Sequence, residues 1–163
     1  TGLFATDGVF HNNHATRIAG AGLVGDVCTA EFYNVSWHGN SAMDQGGGLV
    51  GDWSSHLLVE QSRAVGNVAV KGQGGFIFSE FRTSGGASGN LTVLGTHCEA
   101  NAAAFGGCLA LKGQGSQPAR IMGSTFVNNV CTAPKCTGGA LHGHDARIDL
   151  THAVGMPNST QSV

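Results

Sequence analysis

The chain is short of charge, of proline and of long apolar runs, and each shortage closes off a class. Only 11% of its 163 residues are Asp, Glu, Lys or Arg, and the formal net charge is −2. No basic stripe exists to follow a phosphate backbone, so nucleic acid is not an expected partner. No apolar run approaches the roughly 18 residues of a membrane-spanning helix, so this segment is not expected to insert in a membrane. Helical spacing of apolar residues is sustained nowhere. Proline numbers only 3 beside 27 glycines, and the glycines follow no Gly-x-y period, which excludes a collagen-like chain. An apolar content of 41% is too high for a flexible Gly/Ser linker. An initiator Met and a secretory leader are also missing, and Thr1 stands inside a repeat. The expectation is one domain, 1–163, excerpted from a longer chain or assembly.

What the chain has in abundance is a repeat. Glycine pairs leading to an apolar residue recur as Gly20-Ala21-Gly22-Leu23, Gly46-Gly47-Gly48-Leu49, Gly74-Gly75-Phe76-Ile77, Gly106-Gly107-Cys108-Leu109 and Gly138-Gly139-Ala140-Leu141. Between them a bulky or apolar residue precedes an Asn by three: Phe10 and Asn13, Trp37 and Asn40, Ala64 and Asn67, Cys98 and Asn101, Phe126 and Asn129. A fixed period of roughly 30 residues points to a solenoid, in which each unit buries its apolar face only against the next.

Aligned on the Asn motif, Phe10, Trp37, Ala64, Cys98, Phe126 and Ala153 form one column. Five residues earlier stand Ala5, Phe32, Val59, Val93, Ile121 and Ile148, and two before those Leu3, Ala30, Leu57, Leu91, Ala119 and Ala146. Apolar positions two apart are strand spacing. The glycine motifs add a column of Leu23, Leu49, Ile77, Leu109 and Leu141, while intervening positions vary or carry charge, as on an outward face. The expected fold is all-β: a right-handed parallel β-helix of about six coils with about three short strands in each. At the usual spacing of paired strands it would be about 25–30 Å long.

Asn13, Asn40, Asn67, Asn101 and Asn129 fall just after a strand. Asn tolerates left-handed backbone and bonds local backbone groups, and stacked amides bond along a ladder, so this column is expected to be structural. The glycine pairs read as turn residues needing positive φ. No helix follows them, so they form no phosphate cradle. Successive Asn motifs lie 27, 27, 34, 28 and 27 residues apart, the last step ending at Met156. The longest step holds a polar insertion over 82–89. A second insertion spans 131–137, and 156–163 reads as a decayed coil or tail, with Met156 where Asn is due.

The alternation of Gly-Gly-Ala-[Ile/Leu/Val] with Phe-x-x-Asn resembles the repeat of the chlamydial polymorphic outer membrane proteins. Gly138-Gly139-Ala140-Leu141 fits the first motif, and Phe10-x-x-Asn13 and Phe126-x-x-Asn129 fit the second. Trp37, Ala64 and Cys98 depart from the pattern at the Phe position. The resemblance implies a surface-exposed parallel β-helix of the kind found in adhesins and passenger domains. Similar repeats occur in large extracellular proteins of algae and other microbial eukaryotes. No catalytic residue comes with the motif.

Departures from the repeat are the candidates for chemistry. Asn34-Val35-Ser36, Asn90-Leu91-Thr92 and Asn158-Ser159-Thr160 fit the N-glycosylation acceptor and suggest a secreted eukaryotic origin. Asn90 closes the long insertion and is expected to be exposed. Three residues past each motif Leu or Ile stand Asp26, Asp52, Glu80, Lys112 and His144. On adjacent coils the three carboxylates would sit about 5 Å apart and repel unless they share a cation or a proton. A Ca²⁺ site at Asp26, Asp52 and Glu80 and a carboxylate pair acting on polysaccharide are the two sharp readings. The favoured one is a solvated strand edge with Glu80 paired to Lys112.

Eight histidines are many. His142 and His144, near Asp145, suit a transition metal, whereas His11 and His38 share a repeat position, which explains that pair better. Trp53 is a candidate ring for stacking on sugar. Of five cysteines, Cys131 and Cys136 flank a short Thr-Ala-Pro-Lys loop and are expected to bond. Cys98 reads as a small buried hydrophobe, and Cys28 and Cys108 have no obvious partner.

The function expected is a non-enzymatic structural or adhesive module of a secreted or cell-surface protein. Its partners would be neighbouring β-helix segments or subunits, stacked end to end as in a filament, and surface glycans or proteins. No cofactor is expected beyond N-linked glycans, with Ca²⁺ tied to the acidic column. A polysaccharide lyase or hydrolase using that column, and a Ca²⁺-dependent adhesin, are the alternatives.

Overall fold

The structure is a computed structural model that describes residues 2–25, 28–52, 55–81, 89–113, 118–136 and 138–155. Each turn of the chain lays down four short strands. The first coil carries β1 (Gly2–Thr6), β2 (Val9–His11), β3 (His14–Ala15) and β4 (Gly22–Val24). The second carries β5 (Thr29–Tyr33), β6 (Ser36–His38), β7 (Ser41–Ala42) and β8 (Leu49–Gly51). The third carries β9 (His56–Glu60), β10 (Arg63–Val65), β11 (Val68–Gln73) and β12 (Ile77–Glu80). The fourth carries β13 (Asn90–Leu94), β14 (His97–Glu99), β15 (Ala102–Phe105) and β16 (Leu109–Lys112). The fifth carries β17 (Ala119–Met122), β18 (Thr125–Val127), β19 (Val130–Cys131) and β20 (Leu141–His144). A sixth, partial coil carries β21 (Ile148–Thr151) and β22 (Val154–Gly155).

Equivalent strands pair in parallel from coil to coil. They form four sheets: β1-β5-β9-β13-β17-β21, β2-β6-β10-β14-β18-β22, β3-β7-β11-β15-β19 and β4-β8-β12-β16-β20. The chain is therefore an all-β parallel solenoid of about five turns, with no helix among the described residues. The sequence reading of three strands per coil is corrected to four. The extra strand is the one in the third sheet, and in coils one, two and five it is two residues long.

Three of the four corners of a coil take one residue in the left-handed region in coil after coil. The first corner uses Asp7, Asn34, Gln61, Gly95, Gly123 and His152; the second Asn12, Gly39, Gly66, Ala100 and Asn128; the third Ala19, Gly46, Gly74, Gly106 and Gly138. The left-handed residue at the second corner stands one before each ladder Asn, so the ladder asparagines are not themselves turn residues. At the third corner only the first glycine of the pair has positive φ in coils two to five, and Ala19 holds that place in the first coil. The second is needed for space: a Cβ on Gly20, Gly47, Gly75 or Gly107 would run into the backbone carbonyl of the equivalent glycine one coil on.

The core fills from alternate strand positions. In the first sheet Phe32, Val59, Val93 and Ile121 stack, as do Ala30, Leu57, Leu91 and Ala119, all buried. Both columns continue to different sixth members than the sequence spacing gives. Ile148 follows Ala119 and Leu150 follows Ile121, and Gly155, not Ala153, follows Phe126. The step that leads into the sixth coil is thus two residues longer than the regular 27. Residues 156–163 lie outside the described residues.

The first coil is also shifted. Gly22, not Leu23, pairs with Leu49, and Leu23 pairs with Val50. One set of supposedly outward residues is buried: Val50, Phe78 and Ala110, on the other side of the fourth sheet, pack with Ile18 and Ala19 into a small second core.

Candidate functional site

The Asn column forms one continuous hydrogen-bonded ladder. The backbone N–H and the side-chain Nδ2 of each Asn both donate to Oδ1 of the Asn one coil on: Asn13 to Asn40, Asn40 to Asn67, Asn67 to Asn101 and Asn101 to Asn129, all at 2.9–3.1 Å. The second Nδ2 proton reaches back one coil, from Asn40 to the Phe10 carbonyl, Asn67 to Trp37, Asn101 to Ala64 and Asn129 to Cys98. Each interior amide is thereby saturated, which is what permits its complete burial. Asn40, Asn67 and Asn101 have no exposed surface.

A second polar column went unnoticed in the sequence. Ser62 Oγ accepts from the Val35 N–H at 3.1 Å and donates to the Glu60 carbonyl. Ser124 Oγ accepts from Thr96 N–H at 3.2 Å and donates to the Met122 carbonyl. Thr96 Oγ1 bonds the Leu94 carbonyl. The three hydroxyls are buried and fasten the first corner as the amides fasten the second. Their signal was present: each stands two residues before the bulky member of an Asn motif.

The acidic column is narrower than its spacing suggests. Ser79 pairs with Gly51, which sets Glu80 beside Asp52, and Glu80 pairs with Lys112 and Lys112 with His144. The first coil is one residue out of step, so Gly25 rather than Asp26 meets Asp52; Asp26 and Trp53 lie outside the described residues. Lys112 Nζ sits 3.1 Å from Glu80 Oε1. The cation beside Glu80 is thus a lysine of the next coil. Among the described residues no three acidic, His or Cys side chains converge as metal ligands do.

Among the described residues a charged cluster lies elsewhere, on the second sheet. Arg63 donates to Glu99 Oε2 at 2.9 Å, and His97 Nε2 lies 3.3 Å from the same oxygen. Hydrogen bonds from Arg63 and then His97 hold the Glu99 carboxyl below its usual range. A carboxylate stabilised in this way stays ionised and is ill suited to protonate a leaving group. His11 and His38 are register neighbours on the same sheet.

His142 packs against Phe105, with ring centroids 5.5 Å apart. Burial, then the charge of His144, push its imidazole below the usual range. The unfolded chain therefore takes up a proton at a higher pH than the folded one. Stability is full above the ordinary imidazole range and declines as pH falls through it. The midpoint of chemical denaturation is expected to drop between about pH 7 and about pH 5, with a shallower drop in His142→Phe, which keeps the ring contact. Equal slopes in the two proteins would refute this.

The sequons separate by position. Asn34 is exposed at a corner between β5 and β6, rather than within a strand, and its Nδ2 donates to Asp7 Oδ1 at 2.6 Å. Asn90 is half-buried at the start of β13 with its Oδ1 enclosed, contrary to the expected exposure. Asn158 and residues 82–88 lie outside the described residues, as does Thr137 of the second insertion.

The expected Cys131–Cys136 bond is corrected. The disulfide joins Cys98 to Cys108 across the core, both fully buried. Cys131 belongs to the third sheet, where its Sγ turns to the Ala104 carbonyl at 3.0 Å, and Cys136 Sγ lies 3.6 Å from the Cys131 carbonyl. Neither is disulfide-bonded.

No protein-family model matches the chain, and neither a curated protein nor a solved structure matches it. The parallel solenoid is compatible with a β-helix repeat family.

Proposed function

We propose that the chain is a non-enzymatic structural or adhesive rod of a secreted or cell-surface protein. The observation that carries this reading is the use made of its repeated polar positions. The Asn column fastens coil to coil along its whole length, and the buried hydroxyls and the second glycine of each pair serve the same stacking. Two groups of charges pair outside the core, Arg63 and His97 with Glu99 and Lys112 with Glu80.

The Cys98–Cys108 disulfide supports an oxidising, extracellular setting. Of the two described sequons, the exposed corner at Asn34 is the better placed for an N-linked glycan. The alternating motifs support kinship with the polymorphic outer membrane protein type of repeat, in an extracellular member from an alga or protist. Such a rod offers long flat sheets to surface glycans or proteins, and ends on which neighbouring β-helical segments can stack.

The test is incubation with pectin, alginate and related polysaccharides, following retention and bond cleavage together. No new reducing end and no unsaturated product is expected. Product that forms with the native protein and disappears in Asp52→Asn would replace this reading with an enzymatic one.

A further inference from the structure

We propose that the outer face of the first sheet docks on the same face of a second copy, with the two rods side by side and antiparallel. Alternating burial turns one set of residues outward on β5, β9, β13 and β17, and each of these strands lies between two others of its sheet. In register they form two outward rows, Glu31-Leu58-Thr92-Arg120 and Tyr33-Glu60-Leu94-Met122. Tyr33 is 40% exposed and Met122 39%, and Leu58 and Leu94 on the strands between them are half-buried. The Tyr33 hydroxyl donates to Gln61 Oε1 at 2.8 Å, which fixes the ring before any partner arrives and lowers the cost of ordering it.

Charge names the partner and its orientation. Glu31 and Arg120 are exposed at opposite ends of one row. Among the described residues neither forms an ion pair, unlike Arg63 with Glu99 or Lys112 with Glu80. Asp149 is the register neighbour of Arg120, but its carboxylate accepts from Thr151 instead. The boundary between β9 and β13 lies midway between Glu31 and Arg120. A two-fold axis along the strands at that boundary exchanges β5 with β17 and β9 with β13. It sets Glu31 of each copy opposite Arg120 of the other, and Tyr33 opposite the Met122 thioether, a favourable sulfur–ring contact. Leu58 meets Thr92, and Glu60 opposite Leu94 is the poor match. An axis along the rod would instead set Glu31 over Tyr33 and Arg120 over Met122, leaving both charges unanswered. Six strands of about five residues cover on the order of 500 Å² on each copy. About 1,000 Å² is then buried in all, the size of a weak, reversible association.

Sedimentation equilibrium over a wide concentration range, at low and high salt, tests this. Native protein is expected to show a monomer–dimer equilibrium that weakens as salt rises. Glu31→Arg and Arg120→Glu each set like charges opposite one another twice, and each is expected to weaken the dimer by at least about tenfold. An equimolar mixture of these two variants restores both opposite-charge pairs in the mixed dimer, as the double variant does within its own. Both are expected to recover near-native affinity, which also shows that the single variants fold. Val130→Lys, at an exposed residue of the third sheet, is expected to dimerise like the native chain. Native protein that stays monomeric throughout, a mixture that recovers no dimer, or a dimer lost in Val130→Lys would overturn the proposal. A native monomer whose retention on polysaccharide disappears in Tyr33→Ala would give the face to a glycan instead.

Discussion

Replacing Asn67 with Ala is expected to cost about 3–5 kcal/mol of folding stability, read as a fall in the denaturation midpoint at constant slope. The residue is fully buried and every polar atom of its side chain is used. Ala keeps the backbone N–H that donates to Asn101, but three other groups lose their partners: the Asn40 N–H, the Asn40 amide and the Trp37 carbonyl. Water cannot reach them, and an orphaned buried group costs about 1–3 kcal/mol. Asn13→Ala is the control, because Asn13 is exposed and its loss orphans only groups that solvent can reach. Its expected cost is below about 1 kcal/mol. Asn67→Asp probes direction. A carboxylate can still accept from Asn40 but faces Asn101 Oδ1 acceptor to acceptor, so the loss should be large at neutral pH and shrink as acid protonates the new group. Similar midpoints for Asn67→Ala and Asn13→Ala would show that the ladder is an accompaniment to stacking and not its fastening.

The ladder was legible in the sequence because a parallel solenoid converts sequence period directly into contact: residues one period apart touch, and nothing else decides who the neighbour is. The same rule gave the Leu57–Leu91 and Val59–Val93 neighbours. It failed where the period is not constant. Two extra residues before the sixth coil moved Ile148, Leu150 and Gly155 into columns that a regular step assigns to Ala146, Ile148 and Ala153. In the first coil Leu23 stands one residue late and mimics the motif, so the register continues the column of Glu80 and Asp52 to Gly25. The fourth strand was missed because two residues, such as His14-Ala15, are too few to show alternation.

The disulfide was missed for a different reason. Along the chain Cys98 and Cys108 looked like unrelated entries in two columns, yet those columns face each other across the core. Trp37 stands in the same coil as Gly48, Ala64 with Phe76, Cys98 with Cys108 and Phe126 with Ala140. Where the second sheet gives up its aromatic ring, the glycine motif supplies bulk in its third position, and Phe76 reaches Trp37 with ring centroids 4.9 Å apart. The departures of Ala64 and Cys98 from the Phe position are therefore compensated exchanges of volume. That pairing requires the coil's closure, which no single column reveals.

Gly75→Ala is expected to be severely destabilising. The backbone at Gly75 is not left-handed, so Ala is conformationally admissible there and the whole effect is steric. Its Cβ would meet the Gly107 carbonyl oxygen and lie 2.7 Å from the backbone N and O of Ala102. None of these is a side chain that can swing aside. Relief requires the third and fourth coils to separate, which breaks the Gly75 N–H to Gly106 and Phe76 N–H to Cys108 bonds and opens the core beneath them. A loss above about 4 kcal/mol is expected, enough to leave little folded protein. Gly66→Ala separates this cause from backbone strain. Gly66 has φ +63, and a Cβ there meets nothing within 4 Å, while Ala100 already occupies the same corner one coil on at φ +52. Its cost should be the left-handed penalty alone, about 1–2 kcal/mol. If Gly66→Ala proved the worse of the two, backbone conformation rather than coil spacing would be what the glycines protect, and the second glycine of each pair would have no steric role.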